Sequence, residues 1–278
     1  YRSAILKTVQ SVHCFIQILF QFLRKKVVLL RGVTSSGKTE IYIHLIKQAL
    51  ERHEQVLYLL PEIALTVQIR QRLQRVFGDR LGIYHSKYSD AERVEIWKKQ
   101  LSPTPYDVIL GARSAVLLPF NNLGLVIIDE EHETSFKQQD PAPRYHARSV
   151  AIMLAQQFGA KTLLGSATPS VETYYGAKQG KYPVFRLTER FLGAGLPEVL
   201  ISDMRGQTRA GRSGVIGADL ERELLDTLDR GRQAILFLNR RGNSRVIGCA
   251  MCGWVPECPH CSTNMTYHSA SGRAMCHY

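Results

Sequence analysis

The sequence predicts an α/β fold, a mostly parallel sheet covered by helices on both faces, followed by a smaller second unit of different texture. Three observations carry that expectation. Short apolar runs at 27–30, 56–60, 108–110, 125–128 and 162–164 have the length and composition of buried strands. Between them lie amphipathic stretches of helical period at 40–52, 65–77, 90–101 and 147–158. Strands that alternate with helices imply crossover connections and a parallel sheet. Each strand is also followed by a chemically unusual segment, at the end where open α/β sheets bind their ligands.

Taken in order, an apolar stretch at 14–23 comes first, interrupted by Gln17 and Gln21 and too short to span a bilayer. No small-residue cleavage site follows it before Arg24-Lys25-Lys26. A buried helix is therefore expected rather than a leader, and the chain is expected to be cytoplasmic. The strand at 27–30 then runs into Gly32-Val33-Thr34-Ser35-Ser36-Gly37-Lys38-Thr39, which opens a helix. This is G-x-x-x-x-G-K-[ST] in the strand–loop–helix setting that gives the pattern meaning. Backbone N–H groups of such a loop, with the helix N-terminus, cradle phosphate oxygens. Lys38 is expected to reach the β- and γ-phosphates of ATP or GTP, and the Thr39 hydroxyl to ligate Mg²⁺.

The strand at 125–128 delivers Asp129-Glu130-Glu131-His132. Asp129 is expected in the Mg²⁺ shell, and Glu130 to orient or deprotonate an attacking water. Together with the phosphate loop the acids suggest a hydrolase, while His132 reads equally as a surface histidine. In the segment 133–148 that follows, Phe136 and Tyr145 offer stacking faces and Lys137, Arg144 and Arg148 add positive charge. Aromatics interleaved with cations suit an unpaired nucleic-acid strand, at about 1–3 kcal/mol per stacked base. A loop packed on its own aromatics is the competing account.

Around 182–200, Pro183, Gly193, Gly195 and Pro197 break the pattern and mark a boundary. Beyond it the sequence predicts a strand end at 201–202, a helix at 218–230 and a strand at 234–238. Cys249, Cys252, Cys258, Cys261 and Cys276 crowd the last segment, while Cys14 stands alone. Two close C-x-x-C pairs read as thiolates of a tetrahedral Zn²⁺ site more readily than as a disulfide framework. Iron–sulfur ligation and plain reduced thiols remain alternatives, with His260, His268 or His277 as substitute zinc ligands.

Composition bounds the function. With 45% hydrophobic residues the chain can build a core, and 22% charged residues with 21 Gly and 11 Pro exclude collagen-like and disordered readings. A net charge of +12 favours a polyanionic partner over an indifferent basic surface.

Asp129-Glu130-Glu131-His132 looks like the second nucleotide motif of superfamily 2 helicases. Gly165-Ser166-Ala167-Thr168-Pro169-Ser170 resembles their third, which couples hydrolysis to grip on nucleic acid. Further matches lie at 32–40, at Leu60-Pro61-Glu62-Ile63-Ala64-Leu65-Thr66, at His85-Ser86, at Gly111-Ala112-Arg113-Ser114-Ala115 and at Phe237-Leu238-Asn239-Arg240-Arg241-Gly242. With the paired C-x-x-C motifs, they make residues 27–278 similar to the replication-restart helicases of the primosomal protein N′ (PriA) family.

The resemblance implies a RecA-like P-loop NTPase lobe at 27–190 after a poorly matching segment 1–26. A second helicase lobe would begin at 191–245, and an incomplete cysteine-rich zinc insertion would occupy 246–278. It implies ATP hydrolysis, carried by Lys38, Thr39, Asp129 and Glu130, that drives 3′→5′ unwinding at stalled forks. Single-strand contact and coupling would fall to the 61–66 loop, Arg113, Ser114, His132, the aromatic-rich 133–148 segment, Ser166 and Thr168. Forked and single-stranded DNA, other primosome proteins and single-stranded DNA-binding protein are the implied partners. The family holds two zinc ions with eight cysteines, against the five crowded here. Its later arginines, worth about 10³–10⁵ in rate in related NTPases, do not follow, so the chain is expected to bind ATP and DNA but to hydrolyse poorly.

Ser35 stands where a glycine is usual and is expected to cost little. Ser149 replaces an Asp and Asn243 an aromatic residue, and Gln10 lies at a workable distance for an adenine-reading glutamine. The alternatives are a nucleotide- and DNA-binding fragment without turnover, or another superfamily 2 repair translocase, which would lack the cysteine cluster. A zinc-ribbon protein with an incidental phosphate loop would leave 56–170 unexplained.

Overall fold

The apolar runs supply β1 (Val27–Gly32), β2 (Gln55–Leu59), β4 (Val108–Gly111), β5 (Leu123–Ile128) and β6 (Lys161–Ser166), joined by β3 (Leu81–Tyr84) and β7 (Val184–Leu187). The computed structural model describes residues 9–22, 24–61, 67–85, 88–190, 197–203, 216–237, 252, 254–259, 264–268 and 271–276. Its seven strands form one parallel sheet in the order β3-β4-β2-β5-β6-β1-β7. The helices are α1 (Val9–Phe22), α2 (Lys38–Glu51), α3 (Val67–Phe77), α4 (Asp90–Leu101), α5 (Ala147–Phe158) and α6 (Val171–Lys178).

Successive side chains of a strand point to opposite faces, and here both sets are apolar. Val28, Leu30, Val56, Tyr58, Val108, Leu110, Leu125 and Ile127 pack in one cluster with Ile18 and Phe22 of α1, Ile41 and Leu45 of α2, and Leu73 and Phe77 of α3. Leu29, Leu57, Leu59, Ile109, Val126, Ile128 and Leu164 form the other, with α5. Helix α5 buries Ala147, Ala151 and Ala155, a small-residue stripe at helical spacing that lets the helix lie close to the sheet. Ser89 and Glu92 close a reciprocal capping box at the start of α4.

The expected buried helix near the N-terminus is α1. Its Phe15 ring lies 5.6 Å from His44 of α2, and burial pushes the Cys14 thiol up to about 12, so this cysteine is a core residue. Among the described residues no helix is long and apolar enough to cross a membrane. Strands β3 and β7, and the short helix α6, were not expected. Both strands lie at sheet edges with a neighbour on one side only, so a continuous apolar run is not required of them. Gly82 interrupts β3, where an added Cβ would stand 2.6 Å from the Tyr106 ring.

The chain divides into two units, residues 1–196 and 197–278. In the second, α7 (Ala218–Asp229) matches the expected helix, and β8 (Thr266–His268) pairs antiparallel with β9 (Arg273–Met275). The strands expected at 201–202 and 234–238 are not formed within the described residues. A strand exists only through a hydrogen-bonded neighbour; among the described residues β8 and β9 pair only with each other, and Ile201 and Ile235 are each 95% exposed. The 62–66 loop, Ser86, residues 238–242 of the 237–242 motif, Asn243, Cys249, His260, Cys261 and His277 lie outside the described residues.

Candidate nucleotide site

Strands β1, β6 and β5 are adjacent and parallel, so the loops that leave their C-terminal ends gather at one edge of the sheet. The loop after β1 is tight. A Cβ on Gly32 would meet Ser36 Oγ at 2.6 Å and Lys38 Cγ at 2.9 Å. Gly37, directly before α2, has φ 90°, a conformation glycine accepts readily. Ser35 also lies in the left-handed region, at φ 63°. The expectation that serine costs little here is thereby corrected: an L residue in this region costs about 1–2 kcal/mol. Lys38 Nζ donates to the Gly32 carbonyl at 2.8 Å, which holds the ammonium against the loop. Ser36 Oγ is buried without a hydrogen-bond partner. Such a group costs free energy until an acceptor reaches it, and a phosphate oxygen is the acceptor this loop suits.

Asp129, directly after β5, is 9% exposed. Its Oδ1 accepts from Tyr42 Oη of α2 at 2.9 Å and from the Glu130 N–H at 3.0 Å. Burial, and then the neighbouring Glu130 charge, raise its pKa to about 6, while the Tyr42 bond and Lys38 act in the opposite direction. A cation at this carboxylate would offset that penalty, so the group fits a divalent ion. Glu130 has φ 48°, a strained conformation that persists only where its surroundings impose it. They do so here through Glu131 N–H to Gly165 O at 3.1 Å and Glu133 N–H to Glu130 O at 2.9 Å. Thr39 and Asp129 are the residues that would hold Mg²⁺, which would supply positive charge against the phosphates.

The third and fourth residues of the acidic motif join it to the segment after β6. Glu131 is fully buried and accepts from Ser170 N–H at 2.7 Å and Thr173 Oγ1 at 2.9 Å, and it pairs with the Arg148 guanidinium. Arg148 Nη1 also donates to Ser170 Oγ at 2.7 Å. His132 Nδ1 lies 2.8 Å from Ser166 Oγ, which accepts from Thr168 N–H at 3.0 Å. His132 is therefore a link between the two motifs rather than a plain surface histidine.

Two residues expected to meet nucleic acid are turned inward. Phe136 is fully buried in the second core cluster, because its ring completes the packing beside α5 and presents no stacking face. Arg148 answers the buried Glu131 charge instead of facing solvent. The segment between them is closed on itself: Gln138 N–H donates to Tyr145 O at 2.9 Å, Lys137 pairs with His146 as a β-bridge, and Lys137 Nζ bonds the Arg144 carbonyl. Arg113, in the 3-10 turn Arg113–Leu117 after β4, donates from Nη1 to the Ser135 and Lys137 carbonyls at 3.2 Å each. It thus ties the two loops together. Ser166 is buried, Ser114 and Tyr145 are half-buried, and Arg144 and Thr168 are exposed.

In the second unit Cys252 is exposed and Cys258 buried, and Glu257 beside Cys258 bridges Asn264. Among the described residues, no group of three or more His, Cys, Asp or Glu side chains could hold a metal ion, with two of the five clustered cysteines outside that set.

Sequence reasoning missed Tyr42, Tyr58, Thr173 and the inward role of Glu131. A signal existed for the tyrosines. Each stands in an otherwise apolar run, Ile41-Tyr42-Ile43 and Leu57-Tyr58-Leu59, where a buried hydroxyl needs a partner.

The chain is similar to replication restart protein PriA of Bacillus subtilis, 44% identical over 253 residues that make up 91% of this chain and 31% of that protein. It is also similar to replication restart protein PriA of Haemophilus influenzae, 41% identical across 97% of this chain and 36% of that protein. It spans about a third of the length of these curated relatives. Among solved structures, RecG bound to a three-way DNA junction aligns with a TM-score of 0.49 and 22% identity, over 68% of this chain and 24% of that one. The DEAD/DEAH box helicase family model matches residues 15–175, from α1 through the phosphate loop, the acidic motif and most of α6. The chain belongs to the DEAD/DEAH box helicase family.

Proposed function

We propose that this chain is the ATP-binding core of a replication-restart DNA helicase. The observation that carries the reading is the Tyr42–Asp129 hydrogen bond of 2.9 Å. It joins the helix that opens on Lys38 to the carboxylate that would hold Mg²⁺, so phosphate loop and acidic motif form one site. Lys38 and the loop N–H groups bind the β- and γ-phosphates, Thr39 and Asp129 take the metal, and Glu130 orients or deprotonates the attacking water. His132 and Ser166 carry displacement of the acidic motif to the segment after β6, where Thr168 is exposed.

DNA is the polyanion that the +12 charge and the relatives' names favour. Arg144, Tyr145, Ser114 and Thr168 are the candidate contacts, on loops at the same edge of the sheet as the nucleotide site. The finer reading follows the family: 3′→5′ unwinding at stalled forks, a second lobe starting at about 191–245, and Zn²⁺ on the cysteines of 246–278. Primosome proteins and single-stranded DNA-binding protein would be partners, in the cytoplasm. Zinc rests on the paired C-x-x-C spacing alone.

The test is steady-state ATP hydrolysis with and without forked DNA, by this chain and by a version extended through a second lobe. DNA-stimulated turnover by the extended form, abolished by Lys38→Ala, supports the reading. Failure of both forms to respond to DNA overturns it.

A further inference from the structure

Two tyrosines occupy core positions that aliphatic residues could fill. Tyr42 of α2 and Tyr58 of β2 are fully buried, and their rings meet edge to face at 5.6 Å and 76°. Both hydroxyls turn to Asp129. Tyr42 Oη donates to Oδ1 at 2.9 Å, and Tyr58 Oη reaches Oδ2 only at 3.5 Å. Oδ1 accepts the Glu130 N–H as well, at 3.0 Å. A carboxylate oxygen offers about two lone-pair sites, so Oδ1 is saturated while Oδ2 has one long contact. Across β6, an added Cβ on Gly165 would stand 1.9 Å from Tyr42 Oη and 3.1 Å from Asp129 Oδ1. A side chain there would evict the hydroxyl.

We propose that Tyr42 is a positioning residue for the divalent cation: its hydroxyl fixes the Asp129 carboxylate by Oδ1 so that Oδ2 is presented to Mg²⁺, and Gly165 keeps the space the hydroxyl needs. The inference rests on the reading of residues 32–39 as the ATP site. Tyr42 stands on the helix that begins at Lys38, so one rigid element sets both the phosphate contact and the metal ligand. A hydrogen bond that orients a ligating carboxylate typically matters about 10–100-fold in metal affinity.

The test is ATP binding by the 278-residue chain, followed by calorimetry in EDTA and through a Mg²⁺ titration. Tyr42→Phe is expected to keep the metal-free ATP affinity within about twofold while raising the Mg²⁺ concentration for half-maximal tightening about 10–100-fold. Tyr58→Phe, which removes only the 3.5 Å contact, is expected to shift it far less. Gly165→Ala displaces the same hydroxyl from the other side and is expected to reproduce the selective loss. A Mg²⁺ dependence in Tyr42→Phe equal to that of wild type overturns the proposal. Equal weakening with and without metal does so too, because the hydroxyl would then be structural. The underlying reading fails separately, if wild type binds ATP no better with Mg²⁺ or if Lys38→Ala binds undiminished.

Discussion

Arg148 and Glu131 form an ion pair inside the protein, with Glu131 wholly buried and the Arg148 side chain 16% exposed. It fastens the acidic motif after β5 to the first turn of α5, and through Ser170 and Thr173 to the N-terminus of α6. Removing one partner of a buried pair leaves the other charge unanswered. Arg148→Ala is therefore expected to cost about 3–5 kcal/mol, read from the urea midpoint. Arg148→Lys should recover part of that loss, since a point charge cannot reproduce the guanidinium contacts. A change within about 0.5 kcal/mol, the range of ordinary surface substitutions, would refute the role.

Phe136 and Arg144 separate packing from contact within one loop. Phe136→Ala should cost about 3–5 kcal/mol of stability, as for other fully buried aromatics. Arg144→Ala should leave stability within about 0.5 kcal/mol and weaken single-stranded DNA binding. Thermal unfolding beside fluorescence anisotropy with a labelled oligonucleotide checks both.

Gly165→Ala should destabilise the fold by about 1–3 kcal/mol through overpacking against Tyr42. In a Tyr42→Phe background the atom 1.9 Å from the new methyl is gone, so the double variant should be more stable than the two single effects sum to. Additive losses in the denaturation midpoints would mean that the two residues do not meet.

The Asp129 carboxyl binds its proton more tightly in the folded chain, at about 6, than at its ordinary value. The folded state therefore gains where this group is protonated and loses that contribution as pH rises from about 4 through about 6. Facing it are Tyr42, Tyr58, Lys38 and Glu130. His146 acts in the opposite sense: burial first, then Arg148 and Lys137, lower its pKa, so its contribution is lost as pH falls. Comparison with Asp129→Asn cancels the His146 effect. In EDTA, the stability of Asp129→Asn relative to wild type should rise by about 2 kcal/mol between pH 4.5 and 7.5. A flat difference would contradict the burial penalty.

Central strands and long amphipathic helices were legible because burial on both faces demands continuous apolar runs, as at 56–60 and 125–128. The phosphate loop was legible because its chemistry fixes residue types at fixed spacing. Edge strand β3 escaped, since one-sided pairing tolerates Gly82. The site was half legible. Asp129 and Lys38 announce themselves, but Arg148 is a cation in a basic, aromatic stretch, and only the fold shows that it faces a buried carboxylate. Ser35 illustrates the same limit, because a backbone angle of 63° leaves no local signature beyond the residue it disfavours.

ATP binding by wild type and Lys38→Ala, measured by calorimetry in saturating Mg²⁺, tests the central claim most directly. Lys38 Nζ donates to a loop carbonyl and acts on Asp129 through its charge, so the variant should still unfold cooperatively while losing ATP binding by two orders of magnitude or more, about 3 kcal/mol. Undiminished ATP binding by a fully folded Lys38→Ala chain would contradict the account.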